Sequence, residues 1–236
     1  MHTAIVTGGT KGIGYGIAEA LLDAGGHVMI TGRDAASVAA AVEKLGAGAG
    51  DSSRVIGRAV DVRDRAAVDA MVAEAVSRFG SLNTLINNAG VGLFTAVEQT
   101  TDDDWARVIE TNLTGVFYCS RAAIPALRQA RGGWIINIAS LAGRNYFANA
   151  SAYCASKAGL VAFSEALMLE VRNDNIRVSV VMPGSVATDF SGPSGKHDDE
   201  SWKLTPADIA EVVMDLLRHP SRSLPSKVEI RPARTQ

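Results

Sequence analysis

Thr3-Ala4-Ile5-Val6-Thr7-Gly8-Gly9-Thr10-Lys11-Gly12-Ile13-Gly14 is an apolar run that stops at a glycine turn and then opens a helical pattern. A short run that is continuously apolar, rather than alternating, suits a strand buried on both faces, as in a parallel sheet. Glycine makes a tight turn possible and lets backbone come close to a ligand. The N-terminus of the next helix offers unpaired N–H groups and a partial positive charge, which suits a phosphate. The spacing is G-x-x-x-G-x-G, a variant of the common G-x-G-x-x-G dinucleotide fingerprint. Gly8, Thr10, Lys11, Gly12, Ile13 and Gly14 are therefore candidate pyrophosphate-binding residues.

Outward from this turn, short apolar runs alternate with longer helical patterns. Residues 3–7, 27–31, 54–60, 82–86, 134–139, 177–182 and 228–230 read as seven strands. Helices are expected over 12–24, 35–45, 65–79, two across 102–131, one from about 150 to 172, and 206–218. Such alternation implies βαβ units and a doubly wound α/β fold, here with a mainly parallel seven-stranded sheet and helices on both faces. Nothing reads as a linker, so residues 1–236 form one domain. Gly46-Ala47-Gly48-Ala49-Gly50 reads as a helix stop plus loop. Thr205-Pro206-Ala207-Asp208 is a helix start, with a Thr cap, Pro at the first position and an acid in the first turn. The irregular segment 189–203 reads equally as a lid over a site or as a plain loop.

Composition narrows the class. Lys plus Arg number 23 against 25 Asp plus Glu, so the net charge is −2 and no nucleic-acid or membrane-surface footprint is expected. Cys119 and Cys154 form no disulfide framework and sit in apolar helical patterns, which suggests packing and a reducing compartment. They have no ligand spacing with His2, His27, His197 or His219, so a metal-dependent dehydrogenase is disfavoured and no metal is expected. The opening residues lack a basic region followed by an apolar one, and no run of 18 apolar residues occurs. A cytoplasmic protein is the expectation.

The second strand ends Ile30-Thr31-Gly32-Arg33-Asp34. A ribose with a free 2′-hydroxyl wants an acid there, and a 2′-phosphate wants Arg or Lys. Gly32 leaves room, Arg33 offers a guanidinium and Lys11 could add a second cation, while Asp34 more naturally caps the following helix. NADP(H) is therefore favoured over NAD(H). Asp61, before Val62 at the end of the third strand, is placed to receive an adenine amino group.

Tyr153 and Lys157 stand one helical turn apart, with Ser140 upstream. Residues at i and i+4 share a helix face, and an ammonium beside a phenol lowers the phenol's pKa. That makes a proton donor and acceptor usable near neutral pH. The surrounding helix carries apolar residues around much of its circumference (Ala155, Ala158, Leu160, Ala162, Phe163, Ala166, Leu167 and Leu169), more than one sheet face can cover. A subunit interface, and so a homo-oligomer, is expected.

Thr7-Gly8-x-x-x-Gly12-Ile13-Gly14, Asp61-Val62, Asn87-Asn88-Ala89-Gly90, Asn112, Ser140, Tyr153-x-x-x-Lys157, and Pro183-Gly184 with Thr188 occur in order along the chain. In this the sequence resembles the short-chain dehydrogenases/reductases over essentially its whole length, and is most similar to their 3-oxoacyl-carrier-protein reductase-like and carbonyl reductase branch. The resemblance implies a Rossmann fold, a metal-free site and a tetramer or dimer. It implies hydride transfer between a nicotinamide and a carbonyl or alcohol. Tyr153 would handle the proton, Ser140 would hold the carbonyl oxygen, Lys157 would bind the nicotinamide ribose and depress the Tyr153 pKa, and Asn112 would hold a relay water. Asn87, Ala89 and Gly90 would lie near the cofactor, with Asn88 as readily structural. Pro183 and Gly184 would border the nicotinamide, and Val186 and Thr188 its carboxamide. Pocket candidates are Ala142, Gly143, Asn145, Phe147, Ala148, Gly184, Phe190 and Trp202, of which Phe147 and Phe190 favour an apolar substrate. Bulky Trp134 at a strand start and the short 189–203 segment depart from the pattern. An NAD-dependent alcohol dehydrogenase of the same fold, or a non-catalytic dinucleotide sensor or scaffold, are the alternatives. A small-molecule substrate is expected, with no nucleic acid or membrane as partner.

Overall fold

The computed structural model describes residues 2–191 and 200–234. Seven strands run in chain order: β1 (Thr3–Val6), β2 (His27–Gly32), β3 (Val55–Ala59), β4 (Thr84–Asn87), β5 (Gly133–Ile138), β6 (Ile176–Pro183) and β7 (Lys227–Ile230). The helices are α1 (Gly12–Asp23), α2 (Ala35–Ala49), α3 (Arg65–Phe79), α4 (Asp102–Ile109), α5 (Gly115–Gln129), α6 (Ser151–Val171) and α7 (Pro206–Arg218). The strands form one sheet in the order β3-β2-β1-β4-β5-β6-β7. Every pairing is parallel, so the sheet is wholly rather than mainly parallel.

Side chains alternate across the strands, and both faces are covered. Ala4 and Val6 of β1 pack with Ile17 and Leu21 of α1, Leu45 of α2 and Val213 of α7. Ile5, between them in sequence, packs on the other side with Met71 of α3, Ala123 of α5 and Leu167 of α6. This is the two-sided burial that a continuously apolar strand demands. The chain reverses its winding between β1 and β4, and in such sheets ligands sit outside the carboxyl ends of the strands at that point.

Local chemistry explains where elements start. Asp34, Asp64, Thr101 and Thr205 each cap a helix by accepting a backbone N–H, and Thr205 and Asp208 form a reciprocal capping box. The expected stop at Gly46 does not occur: α2 continues to Ala49 and ends at Gly50, whose φ of 71° is left-handed. Gly46 lies on the buried face, where a Cβ would come within 3.2 Å of Ser52, so close packing of a glycine, not a turn, explains it. Between α4 and α5 the helical path widens into a π turn over Glu110–Thr114.

Of the segment 189–203, residues 192–199 lie outside the described residues, and with them the question of a lid. Its two feet are tied together: Val186 bridges Leu204 in parallel, and the Ala187 N–H donates to the Leu204 carbonyl at 2.8 Å.

Candidate active site

A cavity of about 1520 Å³ lies at the carboxyl ends of the strands and draws its walls from the loops after β1 through β6. Its first wall is the glycine turn. Gly8 has φ +64° and Gly12 φ +56°, both left-handed, where an L side chain is strained. A Cβ on Gly8 would sit 2.9 Å from the Ala89 Cα, so this turn and the loop after β4 meet backbone to backbone. No side chain caps the N-terminus of α1 at Lys11, whereas side chains cap α2, α3 and α7. Its first N–H groups thus face the cavity as a ready anion cradle. Gly8, Thr10, Lys11, Gly12 and Ile13 line the cavity. Gly14 does not. A Cβ there would lie 2.4 Å from the Asn88 amide nitrogen, so this glycine makes room for a brace.

That brace corrects the reading of the two asparagines. Asn88 lines the cavity and donates to the Thr7 and Gly8 carbonyls at 3.0 Å each, while the Asn88 and Ala89 N–H groups donate to the Thr7 hydroxyl. Asn87 is 2% exposed, and its amide donates to Asn137 at 2.8 Å and Ser120 at 3.2 Å, away from the cavity. Neighbouring residues at a strand end point to opposite faces, and one register step separates the two roles. Ala89 and Gly90 line the cavity as expected.

After β2, Arg33 lines the cavity beside Asp34, and Asp34 does cap α2, accepting from the Ser37 N–H at 2.8 Å and its hydroxyl at 2.6 Å. Ser37 also lines the cavity, an addition whose signal was its place three residues after the cap. Gly32 leaves less free space than expected, since a Cβ would come within 2.7 Å of the Thr10 methyl. Asp61 and Val62 line the wall after β3. Both Asp61 oxygens accept from the Arg63 guanidinium, at 3.0 and 2.6 Å, and this partner holds the carboxyl below its ordinary range. An adenine amino group would share that carboxylate with Arg63.

At the other end Ser140, Tyr153 and Lys157 meet. Ser140 follows β5, and its hydroxyl accepts from the Ala142 N–H at 3.1 Å. Tyr153 and Lys157 stand on the buried face of α6, 8% and 4% exposed. Burial pushes the Tyr153 phenol above its ordinary value of 10, with the Ser140 hydroxyl pulling it back down. Burial pulls the Lys157 ammonium down to about 8. Its Nζ donates to the Ile138 carbonyl at 3.0 Å and lies 5.8 Å from the centre of the Tyr153 ring. The direction of the Tyr153 shift is thus set by desolvation, opposite to the expected depression.

Asn112 ties the loop after β4 to α6. It sits in the π turn, fully buried, and does not reach the cavity wall. Its oxygen accepts from the Val91 N–H at 2.8 Å, and its amide donates to the Val91 carbonyl at 2.9 Å and the Ser156 hydroxyl at 3.0 Å. These bonds make its side chain a brace for the loop after β4. Gly90 lets it approach Lys157, for a Cβ there would be 3.3 Å from the Asn112 oxygen and 3.7 Å from Lys157 Nζ.

Pro183, Gly184, Val186 and Thr188 line the cavity after β6, as do the pocket candidates Ala142, Asn145, Phe147, Phe190 and Trp202. Gly143 and Ala148 do not. A Cβ on Gly143 would press within 2.8 Å of the Lys157 carbonyl, so it packs against α6. Phe94 and Arg231 also line the cavity and were missed. Phe94 lies in an irregular stretch with no period to place it, and Arg231 arrives only because β7 joins β6. Cys119, 1% exposed, is an inert core thiol whose pKa burial pushes up to about 12. Among the described residues no group of three metal-binding side chains assembles, and no helix is long and apolar enough to cross a membrane.

A wholly parallel sheet with a glycine cradle at one end of its cavity and a Ser-Tyr-Lys group at the other defines a Rossmann-type oxidoreductase. The chain belongs to the short-chain dehydrogenases: the profile of that family matches residues 2–199. It is 32% identical over 233 residues to a 3-oxoacyl-[acyl-carrier-protein] reductase of Chlamydia muridarum, covering 95% of this chain and 93% of that one. A metagenomic short-chain oxidoreductase solved in complex with NADP superposes with a TM-score of 0.84 at 33% identity, over 98% of this chain and 97% of the other. An alcohol dehydrogenase from the archaeon Thermococcus sibiricus, complexed with 5-hydroxy-NADP, superposes at 0.90 with 26% identity, over 99% and 97%.

Proposed function

We propose that the protein is an NADP(H)-dependent oxidoreductase that interconverts a ketone or aldehyde and its alcohol. The observation that carries this reading is the placing of Ser140, Tyr153 and Lys157 in the same cavity as an uncapped helix N-terminus and Arg33. The dinucleotide fits these residues. The cradle of Gly8 to Ile13 would hold its pyrophosphate, Arg33 and Lys11 its 2′-phosphate with Ser37 beside them, and Lys157 its nicotinamide ribose. The relatives solved with NADP or its 5-hydroxy form agree with this cofactor.

When bound, the nicotinamide supplies or takes up hydride at the carbonyl carbon. Tyr153 supplies the matching proton to the carbonyl oxygen in reduction and takes it back in oxidation. Its raised pKa means the resting phenol holds that proton at neutral pH, which suits a general acid. Ser140 donates to the same oxygen and stabilises the charge that develops there. The Lys157 ammonium, beneath the Tyr153 ring, favours the phenolate left after proton transfer. The nearby relatives include 3-oxoacyl-carrier-protein reductases, which fits reduction as the working direction. An assembly of two or four copies fits the apolar surface that α6 leaves open in one chain.

The test is the absorbance of NADPH during incubation with a panel of ketones and aldehydes. Tyr153→Phe should lower kcat by about 10²–10⁴ while NADPH affinity stays within a few-fold. Retained turnover would remove the proton-transfer assignment.

A further inference from the structure

Phe94, Phe147 and Phe190 converge on the reacting phenol. The Phe94 ring stands edge-on to the Tyr153 ring at 5.7 Å, and Phe190 is tilted against it at 5.9 Å. Phe147 stacks on Phe94 at 6.2 Å and 25°. All three phenylalanines line the cavity, yet they stay 45%, 50% and 43% exposed, whereas the core aromatic Trp134 is 1% exposed. Their free ring surface therefore faces the place where a carbonyl compound must lie to reach Tyr153.

A glycine sets the spacing. A Cβ on Gly92 would stand 3.0 Å from both the Phe190 and the Phe94 ring. Both rings lean on this one position, and any side chain there would push them apart. Asp189, Lys203 and Arg231 line this end with charges of both signs, and Lys203 pairs with Glu200 at 2.8 Å, so no single ionic substrate is favoured. Arg231 donates to Glu229 at 2.8 Å, and with the Asn145 amide oxygen turned toward it a second partner lies at 3.2 Å.

We propose that Phe94, Phe147 and Phe190, set by Gly92, form a clamp that selects a neutral ketone carrying a flat aryl group next to its carbonyl. Aromatic rings prefer edge-to-face or offset contact with another ring, beyond what burial of apolar area provides. A saturated ring of equal size buries comparable area but lacks that complementarity. This specificity rests on the reductase reading of the same site.

The test compares acetophenone with cyclohexyl methyl ketone, each with NADPH, in the full-length wild type and in Phe94→Ala, Phe147→Ala and Gly92→Ala. Wild type should favour acetophenone by about tenfold or more in kcat/KM, in the range that pocket contacts provide. Phe94→Ala and Phe147→Ala should cut that ratio several-fold, and Gly92→Ala should lower kcat/KM for acetophenone by displacing both rings. A wild-type ratio of one or less, or a ratio untouched by Phe94→Ala, overturns the clamp. If neither ketone consumes NADPH, saturation-transfer NMR with 1-phenylethanol and 1-cyclohexylethanol on the enzyme with NADP+ separates the two ideas. Selective contact with the aryl alcohol, lost in Phe94→Ala, keeps the clamp and removes the reductase reading. Equal contact removes the clamp.

Discussion

Lys157 is a buried cation that donates to the Ile138 carbonyl, and burial holds its folded-state pKa near 8, below the ordinary 10.5. Below pH 8 both folded and unfolded chains hold the proton, and the folded state bears the full desolvation cost. Between about 8 and 10.5 the folded lysine releases its proton while the unfolded one keeps it, so this group's penalty fades as pH rises. A shift of that size corresponds to roughly 3 kcal/mol. Lys157→Met should therefore abolish turnover and still raise Tm at pH 7 by several degrees, after about 1 kcal/mol is lost with the Ile138 bond. Melting curves at pH 7 and pH 10 check this, and the gain should shrink at the higher pH. At the other end, Arg33→Asp should shift the ratio of kcat/KM values from NADPH toward NADH by at least tenfold, because a carboxylate repels a 2′-phosphate and suits a 2′-hydroxyl. An unchanged ratio removes Arg33 from cofactor choice. Tyr153, Lys157 and Ser140 were legible in the sequence because their chemistry lies in residue type and spacing. Asn87 and Asn88 were not separable there, since identical side chains one position apart differ only in which face of the sheet they take.

The π turn joins two walls of the site. Val91 lines the cavity in the loop after β4, Asn112 binds its backbone, and Ser156 accepts from Asn112 and donates to the Tyr153 carbonyl at 2.7 Å. Ser156 is fully buried. Ser156→Ala leaves an Asn112 N–H unpartnered, at a cost of about 1–3 kcal/mol. It should lower kcat several-fold with little change in the KM for NADPH, and raise the primary isotope effect from deuterated NADPH, because hydride transfer becomes slower. A merely unstable variant would lose active molecules without altering the isotope effect. Element type was largely legible, because the continuous apolar runs matched the strands of a two-sided sheet. The run of alternating glycine and alanine at 46–50 was not, since Gly46 serves packing and Gly50 caps the end of α2. The π turn had no visible signal, for an extra residue in a helix changes no side-chain pattern over so short a span.

At the scale of the whole molecule, the apolar circumference of α6 divides. Tyr153, Lys157, Leu160 and Leu167 are buried within the chain, while Leu169 is 59% exposed, with Phe117 of α5 at 41% and Trp105 of α4 at 45%. Exposed apolar side chains of this size fit burial against another copy. Light scattering at micromolar concentration should give a dimer or tetramer, and Leu169→Glu should reduce its mass. A monomeric wild type would count against the interface.

The pairing of β1 with β4 has a consequence for the order in which the chain takes shape. Strand β1 is flanked by β2 on one side and, on the other, by β4, which lies 80 residues further along. Until residues 84–87 leave the ribosome, β1 has one edge with unpaired N–H and C=O groups. The glycine turn hangs from that strand and is braced by Asn88, the residue directly after β4. The glycine turn is thus braced only once residues some 80 positions further along have arrived.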